Sequence, residues 1–219
     1  KERQRGTQRS QRSSGFSHAG MYYPPGSARA RMCVEGAARL YTYCEEKGIP
    51  HRRAGKLIVA TDAVEQQRLE ALFDRGCTNQ VPGLELVSVD RMKEIEPLVE
   101  GVGAIWSPNT GIVDFQAVAQ SYAADVSAMG GKVSCGFEVV TTTVGEDGVT
   151  VTSRDGRTVS AAKLITCAGL HSDRIAAQGT APGGLRAAAQ PQIVPFRGTW
   201  LTLKPEFVGM VRTNIYPVP

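Results

Sequence analysis

The 219-residue sequence lacks the features that most quickly fix a protein's class. No apolar run approaches the roughly 18 to 20 residues of a membrane-spanning helix, so no transmembrane segment is expected. The cysteines, Cys33, Cys44, Cys77, Cys135 and Cys167, form no CxxC and no Cys/His pair. An odd set of scattered thiols argues against a metal site or a disulfide scaffold and for reduced cysteines in a cytosolic setting. Neither a signal peptide nor an initiator Met opens the chain. The reading therefore places it in the cytoplasm, with peripheral membrane or mitochondrial association of a longer form left open. Charge of one sign is also missing from most of the chain. The net +4 comes entirely from residues 1 to 12, where Lys1, Arg3, Arg5, Arg9 and Arg12 face Glu2 alone. The other 207 residues carry 20 basic and 20 acidic side chains, which excludes a general nucleic-acid surface. The basic arm is read as a solvated tail or a phosphate-facing loop.

What is present is a globular composition. An apolar share of 42%, with 21% charged residues, 24 Gly and 12 Pro, excludes disordered, collagen-like and coiled-coil chains. Ser27 is a helix cap ahead of a stripe at Ala30, Cys33, Val34, Ala37, Leu40, Tyr41 and Cys44, stopped by Gly48. Leu57 to Ala60 reads as a short buried strand. Asp62 with Glu65 is a capping box for a helix carrying Leu69, Leu72 and Phe73, with Gly76 as its stop. A strand at Leu84 to Val89, a short helix before Pro97 and a strand at Gly103 to Ser107 follow. From Asp114, the spacing of Ala119, Tyr122, Val126 and Met129 predicts a helix, and Lys132 to Cys135 a strand. Glu138 to Val144, Val149 to Arg154 and Arg157 to Ala161 predict a β-meander. Lys163 to Thr166 reads as a buried strand, 172 to 177 as a helix, 179 to 192 as a linker, and Ile193 to Leu203 as a strand. The fold class is α/β beside α+β.

Four stretches carry a resemblance: GTQRSQRSSGFSHAGMYYP at 6 to 24, Thr110-Gly111-Ile112-Val113-Asp114, TCAGLHSDR at 166 to 174, and IVPFRG at 193 to 198 with Asn214-Ile215-Tyr216-Pro217. In this order they resemble FAD-dependent oxidoreductases of the D-amino-acid-oxidase type, nearest to the L-2-hydroxyglutarate dehydrogenase/oxidase branch. The resemblance implies an incomplete FAD-binding Rossmann-like domain (1–53 and 108–189) with a β-meander, interleaved with a truncated, sheet-containing substrate domain (54–107 and 190–219). It implies FAD as cofactor, a small 2-hydroxy acid as substrate, and an electron acceptor that the sequence does not identify. The reaction would be hydride transfer from L-2-hydroxyglutarate to flavin, giving 2-oxoglutarate. The alternatives are an amine, amino-acid or glycerol-3-phosphate oxidising relative, or a non-catalytic fragment unable to hold FAD alone.

The same resemblance assigns residues. Ser10, Arg12, Ser13 and Ser14 face phosphate or flavin oxygens, and Val139, Cys167, Ala168 and Gly169 lie along the dinucleotide. His18 is the candidate base for the hydroxyl proton, because imidazole titrates near neutrality. Arg197 is a candidate for both catalysis and substrate binding, with Tyr23 and Tyr216 as further substrate contacts. Each has a plainer counterpart: a solvated loop, a structural histidine, a salt bridge for Arg197. Tyr41, Tyr43 and Tyr122 read as packing residues. Two departures accompany the resemblance. Gln8 and Arg12 stand where branch members often have histidines, so no covalent flavin link is implied. The Gly-rich turn that cradles a pyrophosphate and the C-terminal strands are not in the sequence, so the chain is expected to be the middle of a larger enzyme.

Overall fold

The computed structural model describes residues 13–180, 192–196 and 198–219. In chain order the elements are β1 (Phe16–Ser17), α1 (Ala28–Lys47), β2 (His51–Arg52), β3 (Lys56–Ala60), α2 (Ala63–Thr78), β4 (Glu85–Val87), α3 (Val89–Ile95), β5 (Gly103–Ser107), β6 (Gly111–Val113), α4 (Phe115–Ala128), β7 (Val139–Gly145), β8 (Gly148–Ser153), β9 (Thr158–Ala161), α5 (Ser172–Gln178), β10 (Gly179–Thr180) and β11 (Asn214–Pro217). The described residues divide into two compact units, one of residues 130–202 and one of 13–129 with 203–219.

The helix ends in the larger unit follow capping chemistry. Ser27 Oγ accepts from the Ala30 N–H, and Gly48 closes α1 with its N–H bonded to Cys44 and Glu45 carbonyls. Asp62 accepts from the N–H groups of Val64 and Glu65, while Glu65 reaches back to the Thr61 N–H at 2.7 Å. Helix α2 runs past the expected stop. Gly76 lies inside it, and a side chain there would overlap Leu84, so its small size serves packing while Asn79 forms the end.

The sheet of this unit has the order β11-β3-β5-β4, with β3 antiparallel to β5 and parallel to β11. Strand alternation sends Ile58 and Ala60 to one face, with Leu69, Leu72 and Met21, and Leu57 and Val59 to the other, with Met92 and Val87. Leu57 and Ile58 are wholly buried, each worth about 2 kcal/mol of transfer free energy. A second sheet, β1-β6-β2, lies where Tyr41 and Cys44 of α1 meet Val113 and Val118. The stripe expected on α4 is corrected here. Val118 and Ala123 are its buried residues, whereas Tyr122, Val126 and Met129 are exposed. Tyr122 instead leans on the Tyr43 ring at 4.8 Å, and Tyr43 bonds Ser121 and Asp125.

The smaller unit contains the meander as expected, in a sheet of order β10-β7-β8-β9 closed at Gly145 and Gly148. Helix α5 packs against β7. Three expected strands are not formed. Lys132 to Cys135, Lys163 to Thr166 and the described part of Ile193 to Leu203 are irregular, and Ile165 and Leu201 are largely exposed. Their apolar character is real, but among the described residues no neighbouring strand pairs with them. Strand propensity alone does not hold an extended segment in place. Most of the expected linker at 179–192 lies outside the described residues.

Candidate functional site

The polar loop at 13 to 23 is organised by its own hydroxyls. Ser13 Oγ accepts from the Gly15 N–H and Ser14 Oγ from the Phe16 N–H, both at 3.4 Å, which turns the chain into β1. Phe16 and Ser17 pair with Ile112 and Gly111 of the TGIVD stretch. Gly111 is required by close approach, since any Cβ there would overlap the Arg52 carbonyl and the Tyr41 hydroxyl. Asp114 then caps α4 through the Ala117 N–H at 2.9 Å. The TGIVD stretch is therefore a bracket that fixes the loop.

Beyond β1 the loop carries His18, Tyr22 and Tyr23 toward the end of β3. Asn79 Nδ2 donates to the carbonyls of Gly20 and Tyr23 at 3.1 and 2.9 Å, which sets the curve between them. Strand β11 arrives from the other side, with Asn214 opposite Lys56 and Tyr216 opposite Ile58. Asn214 binds the Gly55 carbonyl twice, from its backbone N–H and from Nδ2. Alternation places Asn214 and Tyr216 on the same face as Lys56.

The result is a cluster of polar and aromatic groups around Lys56. This lysine is 1% exposed, and its Nζ donates to Tyr22 Oη at 3.1 Å. Nζ lies 4.5 Å from the Tyr22 ring centre and 5.1 Å from that of Tyr216, within cation–π range of both. Phe16 meets Tyr216 edge-on at 5.4 Å and His18 at 6.2 Å. The Cys33 thiol donates to the His18 carbonyl at 3.3 Å.

Burial dominates the electrostatics. It pulls the Lys56 ammonium down to about 8, because the charged form is poorly solvated, and the nearby Cys33 opposes this only in part. His18 is exposed to solvent, yet desolvation by the protein beside it, and secondarily the Lys56 charge, hold it below the ordinary imidazole value. Tyr22 is pushed up to about 12, first by burial and then by Tyr216. At neutral pH the cluster therefore contains a neutral imidazole, two neutral phenols and one ammonium. Such a set can accept a proton and hold an anion.

Of the residues singled out by sequence, the larger unit brings together His18 and Tyr216, with half-buried Tyr23 on the same loop. Ser13 and Ser14 begin that loop. Val139, Cys167, Ala168 and Gly169 belong to the smaller unit: Val139 opens β7, and the other three lead into a 3-10 turn at Gly169–His171. Ser10, Arg12 and Arg197 lie outside the described residues. Sequence reasoning missed Lys56. The available signal was a lysine heading the apolar run Leu57 to Ala60, where a solvated cation has no place.

Comparison with known proteins fixes the family. The profile of the FAD dependent oxidoreductases matches residues 1–219. The chain belongs to that family. It is 43% identical over 218 residues to human L-2-hydroxyglutarate dehydrogenase, mitochondrial, covering 94% of this chain and 46% of the relative. The namesake from Nematostella vectensis is 42% identical over all of this chain and 50% of its own length. The bacterial L-2-hydroxyglutarate dehydrogenase of Indibacter alkaliphilus is 37% identical over 94% of this chain and 50% of its own. The chain thus spans about half the length of the relatives it matches. Among solved structures, FAD-bound L-alpha-glycerophosphate oxidase from Mycoplasma pneumoniae superposes with a TM-score of 0.77 at 21% identity, over 97% of this chain and 56% of the other. Glycine oxidase from Geobacillus kaustophilus gives 0.70 at 20%, over 79% and 48%. These likenesses confirm the mixed α/β fold of a flavin oxidoreductase.

The chemistry of the described groups suits FAD. Ser14 accepts a backbone N–H and still has a hydroxyl proton to donate. Gly169 adopts the left-handed conformation (φ 55°) in an exposed turn without a Cβ, which leaves backbone open to a polar ligand. Among the described residues no helix is long and apolar enough to cross a membrane.

Proposed function

We propose that the protein containing this chain oxidises L-2-hydroxyglutarate to 2-oxoglutarate with FAD. The observation that carries the proposal is the extended identity to enzymes of that name, 43% over 94% of the chain. The His18–Lys56–tyrosine cluster supports it with suitable groups. Bound flavin supplies the hydride acceptor. His18, neutral at physiological pH, takes the proton of the substrate hydroxyl at an imidazole nitrogen. Tyr23 and Tyr216 line the substrate. Arg197 binds a substrate carboxylate through its planar fork. Ser10, Arg12, Ser13 and Ser14, with Val139, Cys167, Ala168 and Gly169, hold the cofactor.

The functional division follows the resemblance rather than contact density. It places 1–53 and 108–189 on the flavin side and 54–107 with 190–219 on the substrate side. The reading assigns a small-molecule substrate and leaves the electron acceptor unidentified. It also favours mitochondrial association over a strictly cytoplasmic place, as the names of the animal relatives indicate.

The test is anaerobic stopped-flow reduction of the flavin in the full-length holoenzyme by L-2-hydroxyglutarate. His18→Ala is expected to slow reduction by about 100-fold or more. Absence of reduction in the wild type would refute the substrate assignment, and an unchanged rate in the variant would remove the base role from His18.

A further inference from the structure

Lys56 is a charged group in a place that should reject charge. Its side chain is 1% exposed, and among the described residues no carboxylate lies within salt-bridge distance. Tyr22 Oη takes one of its N–H bonds, and the faces of Tyr22 and Tyr216 offer partial compensation. An ammonium has three donors. A buried cation without a counter-ion is costly, and a buried titratable group held far from its ordinary state marks a candidate functional site.

The position narrows the anion. Tyr22 belongs to the loop that carries His18 four residues earlier, and the Phe16 ring bridges His18, at 6.2 Å, to Tyr216, over which the Lys56 ammonium lies. A 2-hydroxy acid bears its hydroxyl on the carbon next to a carboxylate, so base and cation must be neighbours to engage both at once. We propose that the Lys56 ammonium, framed by Tyr22 and Tyr216, binds the substrate carboxylate adjacent to the reacting carbon and so presents the hydroxyl to His18. This inference rests on the 2-hydroxy acid reading above. It gives β3 a substrate-binding residue and leaves the distal carboxylate of a dicarboxylate to another cation.

A different anion, a phosphate or a flavin oxygen of the cofactor, would satisfy the same ammonium, and the experiment separates the two. Wild-type holoenzyme, Lys56→Met and Lys56→Gln are compared in their full-length form. Three quantities are read: FAD content, the Kd of glutarate by calorimetry, and KM with kcat for L-2-hydroxyglutarate. Glutarate keeps both carboxylates and has no hydroxyl to oxidise. Loss of the charged hydrogen bond should raise the glutarate Kd by about 10-fold to 100-fold and raise KM in parallel, with FAD content unchanged. Met matches the volume of the lysine stem and removes the desolvation cost, so the apo form should melt no lower than wild type. Gln keeps a donor for Tyr22 and gives the same reading should Met disturb folding. Unchanged glutarate Kd and KM with FAD retained would overturn the proposal, and loss of FAD would reassign Lys56 to the cofactor. A wild type that neither binds glutarate nor oxidises L-2-hydroxyglutarate would instead refute the substrate reading, and the role of Lys56 would fall with it.

Discussion

Replacing Glu96 by Ala should loosen the strand that brings Tyr216 to Lys56. Glu96 ends α3 and is 1% exposed. Its Oε1 accepts the backbone N–H of Arg212 at 2.6 Å and also that of Thr213, the two residues just before β11. Hydrogen bonds to a charged acceptor contribute about 1.5 to 3 kcal/mol each, and a buried donor left without a partner costs about 1 to 3 kcal/mol. Removing the shared acceptor therefore predicts a loss of about 3 to 5 kcal/mol, a large part of the roughly 5 to 15 kcal/mol that holds a typical protein folded. For a protein about twice the length of this chain that is a melting temperature lower by roughly 3 to 10 °C. Glu96→Gln retains an acceptor oxygen without the charge and should lose only about 1 to 2 kcal/mol. Thermal and urea unfolding of the full-length protein measure both variants, and glutarate affinity reports whether Tyr216 still reaches the site. A Glu96→Ala protein within about 0.5 kcal/mol of wild type would refute the clamp.

Gly111→Ala forces a methyl into the Arg52 carbonyl and the Tyr41 hydroxyl; a loss of about 1 to 3 kcal/mol is expected by urea unfolding, and neutrality would show that the β1–β6–β2 bracket yields. The acid limb of kcat/KM should lie below pH 6.5, since His18 is held below its ordinary value, and Lys56→Met should move that limb upward by removing a positive neighbour. An unmoved limb in the pH profile would uncouple the two groups. Arg197→Ala should lower kcat/KM for L-2-hydroxyglutarate by about 10-fold to 150-fold, with Arg197→Lys recovering part; lower melting temperature at full kcat/KM would mark a structural bridge instead. The native Lys56 value of about 8 lies below the ordinary 10.5, so between these pH values the unfolded chain holds a proton that the native one does not. Stability should therefore rise from pH 8 to pH 10.5, and Lys56→Met should abolish that rise.

Much of this fold was legible because its local rules are strong. Ser27 and Gly48 bound α1, Asp62 and Glu65 open α2, and Gly103 to Ser107 is a strand to the residue. The meander was equally plain, since its turns carry the glycines that a tight reversal needs. The misreadings share one cause, tertiary neighbours that sequence cannot display. Lys163 to Thr166 has strand composition, yet among the described residues no strand pairs with it, and Gly76 lies inside α2, where Leu84 and Met21 close over it. In the site, His18 and Tyr216 were named from motif likeness, whereas Lys56 was not. Its importance depends on the β3–β11 register and on a loop more than thirty residues earlier in the chain, both tertiary facts.

Lys56 and Glu96 together explain why the site needs a stiff frame. The fall of the lysine from 10.5 to about 8 corresponds to about 3 kcal/mol of unfavourable burial at neutral pH. A side chain under that pressure relaxes by swinging toward water if the surrounding strands give way. Two contacts oppose this: Asn214 bound to the Gly55 carbonyl beside Lys56, and Glu96 bound to the N–H groups that precede Asn214. Their contribution is of the same size as the cost, so the cation stays in place and is available to a carboxylate. The consequence is testable in the double variant. Lys56→Met should recover about 3 kcal/mol of the stability that Glu96→Ala loses, if the frame exists chiefly to hold the charge. Simple additivity of two independently measured changes would also give partial recovery, so the deciding quantity is the coupling energy from the full cycle. A coupling below about 0.5 kcal/mol would show that Glu96 anchors β11 for its own sake, while a larger one ties the clamp to the buried cation.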